Sequence, residues 1–115
     1  MAEKSVLFLV LHKIEVLDEL LSELNNAGIR GATVLHSIGM AHELHTYEDT
    51  HAISSLRALF SSSKNENRTI FMVMDNDKID TAKKIINDVV GDLSKPDTAI
   101  LFATPCLFTE GLGEN

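Results

Sequence analysis

Apolar residues fall along this chain in two rhythms, short solid blocks and stripes at helical spacing. Residues 6–11 are apolar without a break, which suits a central strand buried on both faces better than one with a wet face. Val16, Leu17, Leu20, Leu21, Leu24 and Ala27 then recur at a helical period. Glu15, Asp18 and Glu19 stand in the first turn, where the helix dipole favours negative charge, and Gly28 marks the exit. Residues 32–38 have the apolar and β-branched content of a second strand, and 69–74 are a third solid block. Asp75, Asn76 and Asp77 are expected to cap a second helix, with Ile79, Ala82, Ile85, Ile86, Val89 and Val90 as its stripe and Gly91 as its stop. After a turn over 92–98, residues 99–103 predict a fourth strand that Pro105 ends. The tail at 111–115 is expected to fray, although Leu107 and Phe108 call for a partner.

Between the second and third strands lies a polar excursion, residues 40–68. It holds His42, His45, Tyr47, His51, the serines 61–63 and Asn65-Glu66-Asn67. Ile53, Leu56, Leu59 and Phe60 within it predict a short amphipathic helix from about 50 to 60, capped by Thr50, with partial disorder around 61–67. A connection this long in a small domain is usually functional or mobile. The stretch 28–41 organises the rest, because a helix end, a strand and the root of this excursion meet there. Gly39, where strand becomes loop, lets backbone approach a ligand or another chain closely; merely letting the chain turn is the plainer role.

The order β-α-β-loop-β-α-β, closed by right-handed crossovers, predicts an α+β, ferredoxin-like βαββαβ fold. Its four-stranded antiparallel sheet would carry both helices on one face. The helices cover only that face, yet strands one, three and four are apolar on nearly every residue. Burying three side chains from each against another subunit would supply roughly 10 kcal/mol before ordering costs. A closed oligomer is the expected answer.

The chain of 115 residues predicts a single domain. Its net charge of -7, from 17 acidic and 10 basic residues, argues against nucleic acid as a partner, and no basic block interleaved with aromatics appears. One cysteine, Cys106, allows no disulfide within the chain and no thiolate cluster. No apolar run is long enough to span a bilayer and the start lacks a signal-peptide pattern, so the protein is expected to be cytoplasmic and not membrane-embedded.

Leu17-Asp18-Glu19-Leu20 is similar to the L-D-E-V that opens the first helix of the PII signal-transduction (nitrogen regulatory) family. Gly31-Ala32-Thr33-Val34 is similar to that family's G-M-T-V. Gly39-Met40-Ala41 falls, without a gap, where the family has G-F-G at the root of its T-loop, and residues 100–105 resemble its I-F-V-x-P strand ending. The chain therefore resembles the PII family, in its divergent PII-like branch, over about residues 6–105. The resemblance implies a homotrimer with sheets facing inward and adenine-nucleotide sites (ATP, ADP or AMP) in the clefts between subunits. It also implies a sensor whose long loop, here 40–68, docks on a transporter, enzyme or regulator once a small effector is bound.

Carried over residue by residue, the site would comprise Thr33, Gly39, Met40, Ala41, Met74 and Asp97. The family's G-D-G-K turn reads Pro96-Asp97-Thr98-Ala99 here, so two glycines and a lysine are missing, and Lys95 is the nearest substitute. The paired arginines after the last strand are replaced by Leu107, Phe108, Thr109 and Glu110. Each lost charge-assisted contact is worth about 1.5–3 kcal/mol, which argues against tight triphosphate binding and opens the way to AMP or another small ligand.

His36, His42, His45 and His51, with Glu43, Glu48 and Asp49, have metal-ligand chemistry. The runner-up is accordingly a metal-binding trimer of the related CutA type, although a solvated loop is the simpler reading and no metal is expected. His36 is expected to be a partly buried strand histidine. Catalysis would need a nucleophile and base held together, and Ser61, Ser62, Ser63 and Cys106 qualify by type only. There is no nucleophile elbow and no Walker loop, and the chain is not expected to be an enzyme.

Overall fold

A computed structural model describes residues 3–39 and 66–113. Six elements make up the fold of these residues. Strand β1 (Lys4–Leu11) leads through a short 3-10 turn to helix α1 (Leu17–Asn26), and strand β2 (Thr33–Ile38) follows. Strand β3 (Glu66–Asp75) leads through a second 3-10 turn to helix α2 (Ile79–Val90), and strand β4 (Ala99–Cys106) closes the fold. The sheet is antiparallel throughout, in the order β2-β3-β1-β4. This is the ferredoxin-like arrangement expected from the element order.

Strand parity divides the apolar blocks between two faces. Leu7, Leu9 and Leu11 of β1, Ile70, Met72 and Met74 of β3, and Ala99 of β4 turn towards the helices. They pack there with Leu20 and Leu24 of α1 and Ala82, Ile86 and Val90 of α2. The other face carries Val6, Phe8 and Val10, which oppose Val73, Phe71 and Thr69 on one side and Thr104, Phe102 and Ile100 on the other. Phe8 stacks on Phe102 with centroids 5.0 Å apart and lies 6.2 Å from Phe71. Ile100 and Phe102 remain 57% and 48% exposed. The solid run in β1 thus marks a central strand with one face covered by helices and one left half-open in the single chain.

Helix α1 ends in a Schellman motif. Gly28, at φ 83°, lets Ile29 N–H reach Leu24 O (2.9 Å) while Gly28 N–H reaches Asn25 O (3.0 Å). Ile29 and Leu24 are both buried, the apolar contact that accompanies this cap.

Four expectations need correction. Residues 75–77 do not cap α2: Asp75 pairs with Lys4 Nζ (2.5 Å), Asn76 Oδ1 accepts from Ser5 Oγ (2.6 Å), and a 3-10 turn precedes the helix. The first residues of β1 compete successfully for those side chains. Strand β3 begins at Glu66, because Asn67 and Arg68 pair with Ser37 and His36; the excursion is therefore shorter than expected, and residues 66 and 67 are ordered. Pro105 does not end β4, which continues to Cys106. An edge strand tolerates proline because half of its N–H groups have no ladder partner. His36 is exposed rather than partly buried, since it lies on an edge strand that neither helix covers. The helix expected over 50–60 lies outside the described residues.

Candidate functional site

The loop root is built on Asn67, which is only 2% exposed. Its buried amide must find partners for both of its ends. With the nitrogen facing acceptors, it donates to Ser37 Oγ and to Ser37 O (3.1 Å) and accepts from Gly39 N–H (3.3 Å). Ser37 Oγ also lies 2.8 Å from Thr69 Oγ1. One side chain thereby fixes the last turn of β2 to the start of β3 at the point where the chain leaves for residue 40. A Cβ on Gly39 would stand 3.2 Å from the Asn67 amide and 3.9 Å from His12 Nε2. A side chain there would make the amide give by a few tenths of an ångström.

His12 joins the root to the turn before β4. Its backbone N–H donates to Thr98 O (2.9 Å), which also accepts from Lys13 N–H (3.1 Å). The turn is itself tightly bonded. Asp92 Oδ1 accepts from Ser94 N–H (2.9 Å) and Ser94 Oγ (2.7 Å), and Thr98 Oγ1 donates to Lys95 O (2.9 Å). The Ser94 hydroxyl, and then the Ser94 N–H, hold the Asp92 carboxyl below its ordinary value. Asp97 takes a left-handed conformation, φ 61°, a position that favours glycine. Lys95 and Asp97 are both exposed.

The structure therefore brings Gly39 and the Lys95–Asp97 turn to one end of the sheet, with His12 between them. Thr33 lies further along β2, opposite Phe71 and exposed on the open face. Met74 is a core residue, 6% exposed, on the helix side at the far end of the sheet, where it opposes Ser5. Met40 and Ala41 lie outside the described residues. Two residues at this site went unread in the sequence. Asn67 was hidden in a polar run that looks like loop, although alternation with Thr69 and Phe71 places it on the open face. His12 follows the apolar block of β1 and carries no signal beyond that same parity.

A separate cleft of about 670 Å³ opens at the opposite end, lined by Lys4, Ser5, Asn76, Cys106 and Phe108 among others. None of the expected site residues lines it. Among the described residues no group of three or more His, Cys, Asp or Glu is placed to hold a metal ion, and no helix is long and apolar enough to cross a membrane. His42, His45 and His51 lie outside the described residues.

No protein-family model and no curated protein matches the sequence. Solved structures do match the fold. The chain is similar to Arabidopsis thaliana PII bound to citrate, with a TM-score of 0.63, 15% identity, and 91% of this chain and 78% of that chain covered. It is similar to the B. subtilis GlnK-ATP complex, with a TM-score of 0.60, 15% identity, and coverage of 92% and 84%. A functionally unknown protein from Pediococcus pentosaceus aligns with a TM-score of 0.66 and 10% identity, covering 97% of this chain and all of that one. At such identities the likeness is one of fold: the chain has a divergent PII-like fold.

Proposed function

We propose that this protein is a PII-like regulator that senses a small ligand in clefts between copies of itself and presents the segment beginning at Gly39 to a partner protein. An adenine nucleotide is the ligand this reading favours, and no catalytic step belongs to it. The observation that carries it is the junction of Gly39, Asn67, His12 and the Lys95–Asp97 turn at one end of the sheet. Two segments far apart in sequence, both assigned to the ligand by resemblance, stand at the same end of the sheet, Gly39 held by the Asn67 amide and the turn held by the His12 backbone, with the His12 ring near Gly39. The open, apolar sheet face supports the homo-oligomeric part, with a trimer as the form implied. Two structural neighbours, one bound to citrate and one in complex with ATP, support a small anionic ligand.

Lys95 is the exposed cation on the turn, and the family's other phosphate-pairing groups are missing. AMP is therefore expected to bind within about tenfold of ATP, since the outer phosphates gain few charge-assisted contacts. Calorimetry with ATP, ADP and AMP tests this directly. Lys95→Ala should weaken whichever nucleotide binds by about ten- to a hundredfold. Absence of heat from all three nucleotides at millimolar concentration would overturn the ligand assignment. Zinc or copper heat lost on changing His42 and His45 to alanine would replace it with the metal-binding reading.

A further inference from the structure

The cleft at the end of the sheet away from Gly39 is framed by the start of β1, the residues after β3 and the segment after β4. Its volume of about 670 Å³ lies within the roughly 300–1,000 Å³ of small-molecule sites. No residue assigned to the nucleotide by resemblance lines it, so it stands apart from the proposed function.

The polar wall of the cleft is held rigidly. Asn76 N–H donates to Glu3 O (2.9 Å), which sets these two residues side by side. Asn76 Oδ1 accepts from Ser5 Oγ (2.6 Å), and Ser5 is only 8% exposed. A buried hydroxyl thus takes the oxygen end of the amide, leaving the nitrogen end with its two N–H donors on the outer side. Lys4 is engaged by Asp75 (2.5 Å), whereas among the described residues no cation pairs with the Glu3 carboxylate. One anion and one amide donor therefore stand next to each other. The remaining wall is apolar, made by Pro105, Leu107 and Phe108. Leu107 and Phe108 stay 96% and 79% exposed, and large apolar side chains uncovered beside a cleft mark a surface for a ligand. Cys106 Sγ donates to Phe108 O (3.3 Å), which holds this wall in place.

A ligand that meets all three features carries a cation for Glu3, an acceptor for the Asn76 amide and an apolar body for Leu107 and Phe108. Because Glu3 and Asn76 are neighbours, the cation and the acceptor must lie close together on the ligand. An α-amino acid bears both on one carbon. A simple carboxylic acid would meet Glu3 with like charge, and an amine alone would leave the amide donors unused. We propose that this cleft binds a free α-amino acid with an aliphatic or aromatic side chain. Glu3 takes the ammonium, Asn76 donates to the carboxylate, and Leu107 and Phe108 cover the side chain.

Cys106 is the only cysteine of the chain and lines the cleft, so the rate of its alkylation by iodoacetamide, followed by mass spectrometry, reports whether the cleft is filled. Saturating L-leucine or L-phenylalanine should slow that reaction several-fold. 4-Methylpentanoate and 3-methylbutylamine, each lacking one of the two charged groups, should leave it unchanged at the same concentration. Glu3→Gln and Asn76→Asp should each raise the leucine concentration needed for protection about tenfold or more. Both positions are exposed, and aspartate keeps an acceptor for Ser5 while losing the amide donors, so circular dichroism should match the parent. Failure of both amino acids to protect Cys106 would overturn the proposal, as would equal protection by the acid or the amine. So would protection unchanged in Glu3→Gln and Asn76→Asp. Lys95→Ala should leave leucine protection intact; its loss there would move leucine to the nucleotide site and overturn the second site. Absence of nucleotide binding in the parent would leave the proposal standing, which separates its failure from that of the ligand reading.

Discussion

Three residues carry conformational or titration work that substitution can expose. Gly28 holds φ 83° to close the α1 cap; Gly28→Ala is expected to cost about 1 kcal/mol, read as a lowered midpoint in urea. Asp97 occupies a left-handed position without being glycine, so a β-branched residue should be worse there and glycine better. Asp97→Val is expected to lose about 1–2 kcal/mol relative to Asp97→Gly in the same assay. The Asp92 carboxyl is held below 3.8 by Ser94. A lowered folded-state value means that its contribution to turn stability is present above the ordinary carboxylate range and is lost as pH falls through the lowered value. A carbon-detected NMR titration should place Asp92 below 3.8 in the parent, and Ser94→Ala should move it upwards. An unshifted Asp92 in the parent would show that the Ser94 bonds do not persist in solution.

At the level of elements, hydrophobic rhythm made both helices and all four strands legible: β1, β3 and the helices each bury a stripe, and the edge strands β2 and β4 showed themselves by apolar and β-branched content instead. What it could not show was where polar side chains hold an element in place. Asp75 and Asn76 look like caps by type, but the paired start of β1 presents Lys4 and Ser5 to them. Asn67 and Arg68 look like loop, yet ladder pairing with Ser37 and His36 draws them into β3. Pro105 reads as a stop only until the strand order puts β4 at an edge. The candidate site was legible in the same uneven way. Gly39 and the turn bearing Asp97 could be named in advance, whereas Asn67, which pins Gly39, could not, since burial of an asparagine is a tertiary fact. Asn67→Ala should cost about 1–3 kcal/mol, because it leaves the Ser37 carbonyl and the Gly39 N–H without their partner. Hydrogen exchange of the Gly39 amide should rise more than that of Leu9 in the core strand; equal rises would mean that the amide clamp is not specific to the root.

For the molecule as a whole, the half-open face is the decisive feature. Phe8, Phe71 and Phe102 form a row across three strands, flanked by valines and isoleucine and ended by the Lys4–Asp75 pair on one side and by Ser37, Asn67 and His12 on the other. An apolar centre with a polar rim is the usual anatomy of a protein interface. Phe102→Asp is expected to dissociate the proposed oligomer, while 1 M salt should not, because the row of aromatic rings at its centre offers no ion pairs to screen. Sedimentation velocity in both conditions checks this, and dissociation of the parent by salt would contradict an apolar interface.

The clip made by Asn67 has one more consequence. Ile38 faces Glu66 directly across the ladder, so everything between them enters and leaves through a doorway about 5 Å wide. The frame on either side of that doorway should therefore take segments interchangeably. Replacing residues 39–65 by Asn-Gly should give a tight hairpin on the same scaffold, more stable by about 2 kcal/mol from loop closure alone. Inserts of other lengths should be accepted without shifting a single strand pair, so that the frame keeps one architecture whatever it carries.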